Sequence, residues 1–303
     1  MCSLKLHAPV MCKELIRHLK LNKGATILDC TVGCGGHAEA ILKEIGPGGS
    51  LIGLDQDDEA LEIAGNRLRR YSNCILIQGN FRNMDAILAR LNIDKVDGMV
   101  FDLGLSSLQI DSAARGFSIR LDAPLDMRMD KSLKLSAFDL VNFLPQEGLS
   151  DILRKYGEER WHNRIARAIV RERRKSMIVS TRQLADLVRR VTPSRYTKIH
   201  PATRTFQGLR IAVNDELETL SIGLDKCINH LNPGARTCVI SFHSLEDRIV
   251  KNQFRKFAKE GAFKIITKKP IRPGQEEISA NPRARSGKLR VVERIENKKR
   301  VNR

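Results

Sequence analysis

Three glycines and a histidine, Gly33, Gly35, Gly36 and His37, fall within five positions of the stretch DCTVGCGGH, Asp29 to His37. They follow a short apolar run and open a helical pattern. A backbone without Cβ atoms there can turn tightly and present its amides to a ligand. Gly33 to Ala38 fits the G-x-G-x-x-G/A spacing of dinucleotide sites, and equally a strand-to-helix turn with no ligand. Asp55 closes the next apolar run, LIGLD. A carboxylate there accepts hydrogen bonds from both hydroxyls of an adenosine ribose, which serves NAD and S-adenosylmethionine alike. A third run ends in Gln78-Gly79-Asn80-Phe81, so a polar pair and an aromatic lie beside the adenine position. The competing reading of Phe81 is a core aromatic. The fourth run, FDLGLSS, ends in Asp102, with Ser106 and Ser107 just beyond. Hydride transfer needs a nicotinamide pocket, and none is legible. A carboxylate at the tip of strand four lies where a methyl acceptor meets a sulfonium, so the reading tilts to S-adenosylmethionine.

The elements that must hold these residues follow from periodicity. Ala25–Cys30, Ser50–Asp55, Cys74–Gly79 and Val96–Leu103 read as strands, with helical spacing over Gly36–Ile45, Asp57–Arg70 and Met84–Leu91 between them. Alternation of this kind builds a parallel sheet with right-handed crossovers. From about Ser106 to His200 no buried strand is evident. A long loop leads there into helical patterns at Ala137–Asn142, Gly148–Tyr156 and Arg160–Arg174. A single long helix is expected over Thr203–Leu231, stopped by Asn232-Pro233-Gly234. Thr237–His243 is a fifth strand, Ser244–Phe257 a helix, and Phe263–Thr267 with Lys288–Ile295 a closing antiparallel pair. The expected organisation is a catalytic domain in two parts, 1–110 and 201–303, around an inserted all-helical substrate-recognition domain, 111–200.

Composition narrows the partners. The 303 residues carry 53 Lys+Arg against 35 Asp+Glu, a net charge of +18 that suits a polyanion. Seven cysteines without a C-x-x-C pair or a His cluster read as reduced thiols in a cytoplasmic protein, with no metal site. No stretch of 18 apolar residues exists, so no membrane span is expected, and the N-terminus lacks the long apolar core of a secretory signal.

These residues sit within blocks that together resemble one family closely. The blocks are HAPV (His7–Val10), DCTVGCGGH, DLGLSSLQID (Asp102–Asp111), RGFS (Arg115–Ser118), PLDMRMD (Pro124–Asp130) and YGEE (Tyr156–Glu159). HPATRTFQ (His200–Gln207), SFHSLEDR (Ser241–Arg248) and NPRARS (Asn281–Ser286) complete them. The chain resembles the bacterial ribosomal RNA small-subunit methyltransferase H family, whose members are cytidine-N(4) methyltransferases. The resemblance covers nearly the whole chain. It implies a class I, Rossmann-like methyltransferase fold with an inserted helical domain, S-adenosylmethionine as cofactor, and methylation of the exocyclic amine of a decoding-centre cytidine in 16S rRNA. The implied partner is that rRNA within the small subunit, and a homodimer is admitted. Carried over by position, cofactor contacts fall on Gly35, Gly36, His37, Asp55, Phe81, Asp102 and Gln109, beside the Gly33 of the loop. Leu108, Ala123 and Cys30 depart from the family pattern, the first two at the border of the active-site loop.

Cytosine's exocyclic nitrogen is a poor nucleophile because its lone pair is delocalised into the ring. A group that accepts hydrogen bonds from the amine takes up developing positive charge. Asp102 is the first candidate, assisted by Ser106 and Ser107; its rival role is to hold the amino-acid end of the cofactor. His243, at the end of strand five, is either a catalytic group or a hydrogen-bonded structural histidine. His200 reads as structural, and Asp126 and Asp130 around Arg128 as an ion-paired clasp in preference to a metal site. RNA contacts are expected from Arg160, Arg164, Arg167, Arg171 and Arg174, which share one helical stripe opposite Trp161, Ile165 and Ile169. A second source is the basic tail, with Arg283 and Arg285, Lys288 and Arg290, Arg294, and Lys298, Lys299, Arg300 and Arg303. The target base has to swing out of its helix to react.

Overall fold

Alternating apolar residues along the central strands bury both faces of one sheet. The computed structural model describes residues 9–193 and 199–296; His7, Ala8, Cys2 and the last basic residues from Lys298 on lie outside them. Its strands are β1 (Thr26–Asp29), β2 (Ser50–Asp55), β3 (Cys74–Gln78), β4 (Val96–Asp102), β5 (Leu231–Ser241), β6 (Phe263–Ile265) and β7 (Lys288–Arg294). The helices are α1 (Cys12–Leu19), α2 (Gly36–Ile45), α3 (Asp58–Leu68), α4 (Met84–Arg90), α5 (Ser107–Asp111), α6 (Ala137–Phe143) and α7 (Gln146–Lys155). They continue as α8 (His162–Arg173), α9 (Thr181–Val191), α10 (Thr203–Asn214), α11 (Glu216–His230), α12 (Ser244–Lys259) and α13 (Gln275–Ala280).

The sheet runs in the order β3-β2-β1-β4-β5-β7-β6, parallel from β3 to β5 and antiparallel on both sides of β7. This order, with its reversed seventh strand, is that of the Rossmann-like class I methyltransferase fold. Leu28, Ile52, Met99, Phe101 and Val239 face one core with Leu224 and Phe254. Their neighbours Ile27, Leu51, Val100 and Ile240 face the other with Met11 and Ile41. Burial of successive residues on opposite faces is what a parallel sheet sandwiched by helices requires. The order also changes direction at β1, whose partners β2 and β4 connect on opposite sides, and ligands of open α/β sheets bind at such a point.

The chain divides into two compact units, one made of the residues up to Gly104 with those from Leu217 on, the other of Leu105–Glu216. The second is helical and extends beyond the 111–200 span read from sequence at both ends. Its core joins Leu149, Leu153, Ile165, Ile169, Leu184 and Val188 to Phe206 and Leu209 of α10, so the return helix belongs to it. Within this unit Arg128 donates to both carboxylate oxygens of Asp126 and to the carbonyls of Lys131 and Leu133, closing the PLDMRMD loop on itself. His200 Nδ1 accepts from the Ala202 amide at the entry to α10.

The single helix expected over Thr203–Leu231 is two. Asp215 adopts φ 50°, in the left-handed region, and separates α10 from α11. The reason is long-range: Asn214 accepts from the Met129 amide and donates to the Met127 carbonyl, so the PLDMRMD loop fixes the end of α10. Nothing local in the sequence announces that bond.

Candidate active site

The glycine loop and Asp55 are tied together. Gly35 is the N-cap of α2 with φ 79° and ψ 18°, a left-handed conformation that a side chain would strain. The Gly33 amide donates to Asp55 Oδ2 at 2.8 Å, and the Asp57 amide to Asp55 Oδ1 at 3.0 Å. Asp57 in turn caps α3 by accepting from Glu59 N–H. The Asp55 carboxylate is therefore oriented by backbone donors, the amides of Gly33 and Asp57 with that of Gln56 between them. Burial pushes the Asp55 carboxyl up to about 6, against the pull of the Asp57 and Gly33 amides.

Asp102, at the tip of β4, is held from two sides. Its amide donates to Thr31 Oγ1 at 2.6 Å, and its Oδ2 lies 3.3 Å from His37 Nε2. Asp102 Oδ1 is buried and has no hydrogen-bond partner among the described residues. Behind them Asp29, only 1% exposed, accepts from the Thr31 amide through Oδ1. Burial drives the Asp29 carboxyl up to about 7, with the nearby His37 opposing the shift. Neither Asp29 nor Thr31 stands out in the sequence, because each acts on Asp102 across the sheet rather than along the chain.

Phe81 packs edge-on against Phe101, with ring centroids 5.3 Å apart. It reaches that position beneath Gly223 of α11, where a Cβ atom would stand 2.5 Å from the ring. Gly223 is a further residue that sequence reasoning passed over; an isolated glycine within a helical pattern is its one local signal. His243 is the N-cap of α12 in a reciprocal capping box with Glu246. That is the arrangement of a structural histidine, although its Nε2 takes no hydrogen bond among the described residues. Ser106 and Gln109 form another capping box at the start of α5, and Ser107 is the first residue of that helix. These three belong to the helical unit, whereas Gly33, Gly35, Gly36, His37, Asp55, Phe81 and Asp102 belong to the sheet unit.

The donor set of the sheet's rim has a definite preference. Asp29, Asp55 and Asp102 supply three carboxyls against the single imidazole of His37, so the site suits a cation and repels a pyrophosphate. Asp55 offers acceptors to a diol, and the bare Oδ1 of Asp102 wants a donor. An adenosyl sulfonium with an ammonium end fits both demands.

Comparison with known proteins decides between the remaining options. Residues 5–295 match a family model described as the MraW methylase family. The chain belongs to that family. It is 46% identical over 308 residues to the ribosomal RNA small subunit methyltransferase H of Halothermothrix orenii, covering 96% of this chain and 99% of the relative. It is 47% identical over 307 residues to the protein of the same name from Trichlorobacter lovleyi, covering 95% and 98%. Among solved structures, an rRNA methylase from Streptococcus thermophilus aligns with a TM-score of 0.43 at 12% identity, over 94% of this chain and 93% of that one. Methyl transfer thus replaces hydride transfer as the chemistry of the family to which the chain belongs.

In this methylase the basic residues divide into free and committed groups. Arg160, Arg164, Arg167, Arg171 and Arg174 are all exposed along α8 and its flanks, while Ile165 and Ile169 on the same helix are fully buried. Arg173, off that stripe, donates to the carbonyls of Val141 and Leu144 instead. The expectation for the tail needs correction. Lys288 and Arg290 lie in β7 and pair with Asp247 of α12, Arg290 at 2.6 Å and 8% exposed. They hold the sheet to its helix and offer no free charge. Arg285 is exposed in the short turn before β7; Arg283 beside it is partly covered. Among the described residues no helix is long and apolar enough to cross a membrane.

Proposed function

We propose that this chain transfers the methyl group of S-adenosylmethionine to the exocyclic N(4) amine of a decoding-centre cytidine in 16S rRNA, as a cytoplasmic enzyme. Family membership supports methyl transfer, and the names of relatives at 46–47% identity support small-subunit rRNA as the substrate. The observation that carries the choice of an amine is the buried Oδ1 of Asp102 at the end of β4, which has no hydrogen-bond partner among the described residues.

When bound, the cofactor supplies an activated methyl group on sulfur, so the protein's task is alignment more than activation. Asp55 holds the ribose hydroxyls, and the loop from Gly33 to Gly36, whose Gly33 amide fixes Asp55 and whose Gly35 amide bonds the Val32 carbonyl, turns the chain tightly beside the same ligand. Phe81 borders the adenine. Asp102 accepts a hydrogen bond from the attacking amine and takes up the positive charge that grows on it. The same Oδ1 suits the ammonium end of the cofactor, and a variant that separates binding from transfer distinguishes the two uses. Ser106, Ser107 and His243 are the further catalytic candidates in this reading, and Gln109 is a candidate contact of the cofactor. Incubating small ribosomal subunits with labelled S-adenosylmethionine and mapping the label by mass spectrometry tests the proposal. Label on an N(4)-methylated cytidine is expected; label elsewhere, or none, overturns it.

The arginine stripe of α8 is the proposed phosphate contact, because five exposed guanidiniums at 160, 164, 167, 171 and 174 lack a carboxylate partner among the described residues. Neutralising two of them, Arg164→Gln with Arg171→Gln, is expected to weaken RNA binding about tenfold at moderate salt. It should also reduce the log–log salt slope by about 1 per phosphate lost. Titrations at several salt concentrations check this; an unchanged slope removes the stripe from the interface.

A further inference from the structure

We propose that His37 acts through its side chain as a positioning residue for methyl transfer, a buried cation that fixes the Asp102 carboxylate by Oδ2 and leaves Oδ1 to the reacting partners. The inference rests on the methyl-transfer reading given above and assigns a role to a ring, not to a backbone amide.

Three observations converge on it. His37 Nε2 stands 3.3 Å from Asp102 Oδ2, within ion-pairing distance, with 6% of the His37 side chain exposed. The pairing is electrostatic. Secondly, His37 occupies the first turn of α2, the positive end of the helix, where a cation is disfavoured. Its place therefore serves something other than the helix. Thirdly, Thr31 takes the Asp102 amide at 2.6 Å while its own amide donates to Asp29, so backbone and side chain of Asp102 are fixed by separate neighbours.

The charged and titratable groups facing His37 are Asp102 from β4, Asp29 from β1 and Cys12 from α1, with Asp55 of β2 acting on Asp29 in turn. Burial alone would strip the proton from the ring. Asp102, Cys12 and Asp29 outweigh it and lift the imidazole to about 10, so it stays charged throughout the neutral range. Without that cation the Asp29 carboxyl rises further, since His37 is what opposes its shift, and the Asp102 carboxylate loses the charge that holds Oδ2.

The test compares single-turnover transfer by the full chain at saturating cofactor from pH 6 to 9. His37→Gln is expected to lose tenfold or more at pH 6 relative to pH 9, with KM for the small subunit unchanged, while the wild type varies less than threefold. His37→Lys, which keeps a cation, should restore the flatter profile. A His37→Gln profile that superimposes on the wild type overturns the proposal. Should neither variant fold, ¹⁵N-histidine spectra of the wild type decide, the ring being identified as the signal displaced in Asp102→Asn. A doubly protonated ring at pH 8 supports the pairing, and a neutral one sinks it. Wild-type protein that moves no methyl group at any pH sinks the functional reading instead, and the ring spectra then judge the pairing separately.

Discussion

Asp102→Ala is expected to abolish methyl transfer, lowering the single-turnover rate by a factor of about 10³ (~4 kcal/mol of barrier). The figure follows from what one well-placed acceptor contributes where charge develops in a site shielded from water. Asp102 meets the condition of placement, since Thr31 and His37 fix it and its Oδ1 has no other partner among the described residues. The alanine variant leaves His37 as a buried cation facing Asp29 and Cys12 alone, so a modest loss of stability accompanies the loss of rate. Calorimetry with S-adenosylmethionine separates the two uses of the carboxylate. If the amine is its partner, affinity for the cofactor changes by less than about threefold while the rate collapses. If the ammonium end of the cofactor is its partner, affinity falls by about tenfold or more. A rate within threefold of the wild type removes Asp102 from the chemistry altogether.

Asp55→Ala is expected to weaken cofactor binding by about 100-fold, since two charge-assisted hydrogen bonds to a diol together contribute roughly 3 kcal/mol. Its second effect is on the loop, because the Gly33 amide loses its acceptor at 2.8 Å. Acidity supplies an independent signature. The Asp55 carboxyl sits near 6, above its ordinary value, because it is buried. Its charged form, the better acceptor pair for a diol, is full above that value and disappears below it. Wild-type affinity should therefore fall as the pH drops through about 6, and Asp55→Ala should lose that dependence. Isothermal titrations at pH 5 and pH 8 check both statements; equal affinities in the wild type would count against them.

The central sheet was legible because its strands are short apolar runs bounded by polar ends. Ser50–Asp55 begins and ends where periodicity puts it, and the pairing of β6 with β7 was readable from two β-rich segments. The strand ends were legible too, Asp55 and Asp102 closing β2 and β4 where the apolar runs stop. What escaped was everything fixed by contacts distant in sequence. The break at Asp215 depends on Asn214 bonding a loop some 85 positions earlier. Lys288 and Arg290 looked like part of a basic tail because their partner, Asp247, lies some forty positions earlier on α12. Thr31 and Asp29 sit between the motif's glycines and the strand, where they read as turn and strand residues. Gly223 escaped for the same reason, its partner Phe81 being far away along the chain.

Because β2 and β4 flank β1 on opposite sides, Asp55 and Asp102 are separated by about two strand spacings, roughly 10 Å. If the ammonium end of the cofactor is the partner of Asp102 and the ribose that of Asp55, such a calliper grips the donor on either side of its sulfur. The demethylated donor keeps both of those groups and loses only the sulfonium charge, so the spent molecule should still compete with the fresh one. Throughput in the cell would then be governed by how fast that by-product is cleared, and the ratio of the two pools would set the rate.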